Sequence, residues 1–120
     1  MAVKAVHLAN YERFKADALR EEISDGLRVE AFFLAALHLV DACAAQASVH
    51  IGKHQHVRRE LEANLRLFGA ETEAVWRAFQ DLETRVRPRF VYGSGGTPGD
   101  FQEARDLFAR IEAICQGVLR

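Results

Sequence analysis

Glu30, His38 and Asp41 are the residues of this chain best placed for chemistry, because they interrupt an otherwise apolar stretch, 29–44. On a helix at 100° per residue, Glu30 and Asp41 point within about 20° of each other and His38 lies about 60° from Asp41. All three therefore share one stripe. Ionisable groups on a buried face are costly unless they are paired, and His38 and Asp41, at i,i+3, are within reach of each other. Two outcomes are open: a hydrogen-bonded pair that fixes the helix register, or the wall of a polar pocket.

The next segment, 48–59, holds His50, His54 and His56. A metal reading would use these three, with His38 or Asp41 as a further ligand. Against it, Gly52 sets His50 outside the following helix, and His54 and His56 leave that helix on different sides. The Glu-x-x-His signature of di-iron bundles is missing. No metal or cofactor is assigned on this basis. His54 and Arg58 form a better pair, at i,i+4 beside the Val57/Leu61 stripe. The Arg58 fork suits a carboxylate, with Asp41 or Glu30 as internal partner, or a ligand phosphate. The expectation is a single polar cleft built from Glu30, His38, Asp41, His54, Arg58 and Arg89.

Arg85, Arg87 and Arg89 lead into Phe90 and Tyr92, and no acidic residue lies between Thr84 and Gly99. Arg85, Arg87, Arg89 and Tyr92 are thus a candidate contact for RNA phosphates and bases. The same arginines also suit a helix C-terminus for dipole reasons alone. The glycine-rich stretch 93–99 lacks Gly-Lys-Ser/Thr and runs into Asp100, which would repel phosphate, so it reads as a flexible connection. No serine–histidine–acid or cysteine–histidine arrangement is legible. Cys43 and Cys115 lie far apart on expected helices and read as reduced core thiols.

Five helices are expected to position these groups. The first covers 6–23, with Phe14, Ala18, Leu19 and Ile23 on a loose stripe. Ser24-Asp25-Gly26 interrupts, and Ser24 or Asp25 is expected to cap the next helix. The second, 27–47, is apolar nearly all round and belongs in the middle of a bundle. The third, 54–68, ends at Gly69, a left-handed cap. The fourth, 71–87, ends at Pro88, and Trp76 lies off its Val75/Phe79/Leu82 stripe as a candidate interface residue. The fifth, 101–119, starts with a capping box of Asp100 and Glu103. Short connections imply an all-α, antiparallel up-and-down bundle.

At 120 residues and 49% hydrophobic content, the chain fits one domain over 1–120 with a core that needs no disulfide or metal. A formal net charge of -1 removes a globally basic nucleic-acid binder, though not a local patch. The opening Met1-Ala2-Val3-Lys4 turns polar without a signal core, and no apolar run reaches membrane length, so the expected location is cytoplasmic with no membrane partner.

The stretch 24–42, Ser-Asp-Gly-Leu-Arg-Val-Glu-Ala-Phe-Phe-Leu-Ala-Ala-Leu-His-Leu-Val-Asp-Ala, resembles the second-helix region of small HEPN domains. In these an Asp begins the helix, aromatics sit mid-helix and an Ala-Leu-His-Leu-Val-type segment follows. His54-x-x-x-Arg58 and the ending Arg89-Phe90, where Arg-Tyr is usual, are similar to the same members. The resemblance extends over about residues 10–118 as helix order and pattern. It implies a homodimeric bundle with a functional cleft near the dimer interface. Many HEPN members are ribonucleases with a late Arg-x(4–6)-His motif, and here no histidine follows His56. The resemblance therefore implies a non-catalytic module that binds RNA, a nucleotide or a partner protein such as a nucleotidyltransferase, as in toxin–antitoxin-type pairs. One alternative is a divergent metal-independent ribonuclease, with His38 or His54 as general base and Arg58 or Arg89 steadying phosphate. A second is a His-rich metal-binding bundle.

Overall fold

A computed structural model describes residues 3–92 and 95–120. The described residues form helices and no strand. Helix α1 spans Lys4–Ala18, α2 Asp25–Gln46, α3 Val57–Ala63, α4 Thr72–Gln80, α5 Pro88–Val91 and α6 Pro98–Val118. A π-helical segment, Asp81–Val86, joins α4 to α5 in one rod, so five helical rods make an all-α bundle. No helix among the described residues is long and apolar enough to cross a membrane.

Contacts at the helix ends give the directions. Lys4 at the start of α1 reaches Gln46 at the end of α2 (2.7 Å), while Arg28 Nε near the start of α2 donates to the Ala18 carbonyl at the end of α1 (2.8 Å). These two helices are antiparallel. Helix α6 runs parallel to α2, since Phe101 meets Arg28 and Phe32 at one end and Val118 accepts from Gln46 at the other (3.0 Å). The α4–α5 rod runs against both, bringing Arg87 to Glu30 and Arg89 to Asp100. The four long rods therefore alternate in direction, and α2 packs against α1, α4, α5 and α6. Its central position follows from its composition: Val29, Phe32, Phe33, Ala35, Ala36, Leu39 and Val40 are all inaccessible or nearly so.

Several expected boundaries are corrected. Helix α1 stops at Ala18 rather than continuing to residue 23, and Arg28 from the next helix takes its last carbonyl. Ser24 occupies the N-cap position of α2 in extended conformation, yet makes no side-chain cap bond. The expected third helix, 54–68, is broken: a 3₁₀ turn at His54–His56 precedes α3, and Asn64 ends it. The Asn64 amide donates to the Glu60 carbonyl (2.8 Å), competing with the backbone ladder at that point. Gly69 does sit in the left-handed region, at φ 55°.

Pro88 does not end the fourth helix. The wide π turn before it closes with Arg87 N donating to the Leu82 carbonyl (3.0 Å), and Pro88, which has no N–H to place, opens the one-turn α5. The last helix is capped one turn earlier than expected. Thr97 and Asp100 form the capping box, with Asp100 N to Thr97 Oγ1 at 3.1 Å and Thr97 N to Asp100 Oδ2 at 3.0 Å. Glu103 is thereby free to pair elsewhere. Of the glycine-rich connection, Gly93 and Ser94 lie outside the described residues, as do Met1 and Ala2 of the N-terminal reading. Cys43 and Cys115 are buried free thiols, and Cys43 Sγ donates to the Cys115 carbonyl (3.7 Å) across the α2–α6 seam.

Candidate functional site

The polar stripe of α2 divides between two neighbours. Glu30 pairs with Arg87 (Nε–Oε2 3.1 Å), whose guanidinium lies 4.3 Å over the Phe33 ring. His38 and Asp41 turn toward α1. The His54 Nδ1 meets Glu83 of the π segment, with Phe33 edge-on to its ring. Arg58 is not part of any cleft with α2: it pairs with Glu62 (3.3 Å) and stacks 4.0 Å over Trp76. Arg89 is held at the far end by Asp100 (2.7 Å) and Glu103 (3.2 Å). Of the six residues expected to share one cleft, only His38 and Asp41 stay together.

Helix α1 supplies what completes the His38–Asp41 pair. His7, one turn past Val3, lies antiparallel to the C-terminal half of α2, and its Nδ1 is 3.1 Å from His38 Nδ1 and 3.8 Å from Asp41 Oδ2. Phe14 stacks on His38 at 5.7 Å between centroids, nearly parallel, and so fixes the plane of that imidazole. The Asp41 side chain is only 12% exposed, and its Oδ1 is buried with no hydrogen-bond partner among the described residues. A buried, unmatched carboxylate oxygen is costly, and burial pushes the Asp41 carboxyl up to about 7. Burial first, then the nearby His50, lowers His7 below the usual imidazole value. His38 is lowered by burial, with His7 and Arg13 adding to the effect. Each group is thus disfavoured in its charged form.

His7 and Asp41 of this trio border a cavity of about 580 Å³ between the start of α1, the end of α2 and the connection after it. Lys4, His7, Asp41 and His50 give it a polar side, and Val3, Ala45, Val49 and Ile51 an apolar one. Ser48, also on its wall, is the one non-glycine residue with positive φ (60°) among the described residues. That conformation is uncommon for a serine, and such residues gather at functional sites. The size falls in the range of small-molecule pockets, about 300–1,000 Å³.

The histidines expected to form a metal set do not gather. His54 is held by Glu83, and His56 Nδ1 accepts from Arg59 (3.0 Å). The basic segment is neutralised from within: Arg85 pairs with Glu103 and Asp81, Arg87 with Glu30, and Arg89 with Asp100 and Glu103. Of the expected nucleic-acid contacts only Tyr92 stands free, 74% exposed. Trp76 is not an open interface residue but is 8% exposed beneath Arg58 and Arg77.

His7 escaped the sequence reading. Its signal was the spacing His7, Tyr11, Phe14, Ala18, one helical face that mixes polar and apolar types and therefore lacks amphipathic contrast. No family model, curated protein or solved structure matches the chain.

Proposed function

We propose that the chain is a non-catalytic, HEPN-like binding module that takes a mononucleotide in the α1–α2 cavity. The observation that carries this reading is the two-sided lining: the Lys4 ammonium and the His7 and His50 imidazoles, which can donate hydrogen bonds, share the wall with apolar Val3, Ala45, Val49 and Ile51. A nucleotide has the matching halves, a phosphate and a flat base. The pairing of Arg85, Arg87 and Arg89 with carboxylates favours a small ligand over an RNA strand, because phosphate binding there would have to displace three sets of ion pairs. The same pairing weakens the ribonuclease alternative, in which Arg89 steadies phosphate.

Calorimetric titration with adenosine and guanosine monophosphates tests the reading. Saturable binding is expected, weakened about tenfold, or about 1.4 kcal/mol, by His50→Ala, a change at an exposed position. Heats that do not saturate with either nucleotide, with and without divalent cation, would remove it. A salt-sensitive gel shift with single-stranded RNA would instead restore the RNA version.

A further inference from the structure

One feature of the cavity wall opposes an anionic ligand, namely the carboxyl of Asp41, which sits beside the groups meant to hold the phosphate. Its surroundings are more telling than its charge. The two Nδ1 atoms of His7 and His38 face each other at 3.1 Å. One ligand atom from each of His7, His38 and Asp41 can be chosen so that all lie within 4.8 Å of one another. Two donors bound at about 2.1 Å to a tetrahedral ion stand about 3.4 Å apart, so the spacing needs only small adjustments to enclose one ion. No other group of three or more His, Cys, Asp and Glu among the described residues gathers ligand atoms this closely. Asp41 Oδ1 has no donor to satisfy it, and a cation would.

We propose that His7, His38 and Asp41 form a mononuclear site for a divalent first-row transition-metal ion such as zinc, with its open coordination positions toward the α1–α2 cavity. Two imidazoles and one carboxylate select such an ion over magnesium or calcium, which take oxygen ligands. Three protein ligands with a vacant position are the pattern of sites that also bind an exogenous group. The helices set the ligands before any ion arrives: His38 and Asp41 share a face of α2 at i,i+3, His7 approaches from α1, and Phe14 stacks on His38. Pre-positioning of this kind is what the shell around a metal ligand supplies. Only the identity of the group in the open positions, a phosphate oxygen, rests on the nucleotide reading. Ion binding itself does not.

The test uses the untagged full chain, stripped with a chelator and titrated with cobalt(II), followed by visible d–d absorption, with zinc as competitor. One equivalent is expected to bind with a dissociation constant of about 1 µM or below. Asp41→Asn and His7→Gln should each weaken it at least tenfold, whereas the double change His54→Gln/His56→Gln should leave it unaltered. Zinc should raise the melting temperature of the parent chain but not of Asp41→Asn, whose near-identical shape guards against a mere loss of fold, as circular dichroism of the ion-free proteins would verify. Absence of saturable binding, or equal affinity in Asp41→Asn, or loss of binding in the His54/His56 double variant, overturns the site. Zinc binding without nucleotide binding keeps the metal site and removes the nucleotide reading; nucleotide binding in chelator with no zinc binding does the reverse.

Discussion

Tyr11 shows how a single side chain ties the site-bearing helix to the rest of the bundle. Its ring is 2% exposed, and its hydroxyl donates to Glu112, which also binds Lys15 at 2.7 Å. Burial and that hydrogen bond raise the phenol above its usual value of 10.0. Because the folded state holds this proton more tightly than the unfolded chain, the stabilisation is complete below pH 10 and is lost as pH rises beyond it. Urea titrations from about pH 9 to pH 11.5 should therefore show a fall in stability that is shallower in Tyr11→Phe. At pH 7 the same substitution should cost about 1.5–3 kcal/mol, the worth of a hydrogen bond to a charged acceptor. An equally steep alkaline fall in the variant would mean that Tyr11 is not the group responsible. The candidate site was half legible at this scale. His38 and Asp41 stand on one helix and their proximity follows from spacing, whereas His7 is 31 residues from His38. No periodicity links residues on two different helices.

At the scale of elements, sequence reading succeeded where burial alone decides and failed where a local hydrogen bond does. The all-round apolar pattern of α2 placed it centrally, whereas Gly69, expected to cap the third helix, takes its positive φ at the start of a 3₁₀ turn beyond the end of α3. The third rod broke because the Asn64 amide takes the Glu60 carbonyl, a competition that hydrophobic spacing cannot register. The capping box moved from Asp100 and Glu103 to Thr97 and Asp100 because Pro98 favours the first helical position and starts the helix one turn sooner. Glu103 then joins Arg85 and Arg89 to bind α6 to the far end of the α4–α5 rod. Thr97→Ala removes the Oγ1 acceptor for Asp100 N and should cost about 1 kcal/mol in urea-induced unfolding. A change indistinguishable from zero would show that the box contributes nothing to holding α6.

For the whole molecule, stability is concentrated around α2. Phe33 touches Phe79 of α4 at 5.3 Å between centroids, His54 at 5.5 Å and Arg87 at 4.3 Å, so one ring joins three segments of the chain. Phe33→Ala is expected to lower the free energy of unfolding by about 3–5 kcal/mol. Leu27→Ala, near the start of the same helix but 65% exposed, should change it by less than about 0.5 kcal/mol. Similar losses from both would contradict a core centred on α2.

The π segment Asp81–Val86 gives this architecture a phase. A wide turn holds one residue more than an ordinary one, and everything beyond it is set at an angle that the extra residue determines. Were the same residues wound as a regular helix, the surplus residue would be carried forward and the remainder of the rod would rotate by about 100°. Arg87 would swing away from Glu30, and Arg89 from Asp100 and Glu103. The electroneutral patch at that end would split into a bare cationic ridge facing an anionic groove, so the wide turn is what keeps these arginines matched to carboxylates; excision of the exposed Thr84, whose hydroxyl bonds the Gln80 carbonyl, would remove turn and surplus residue together and leave the pairs in place.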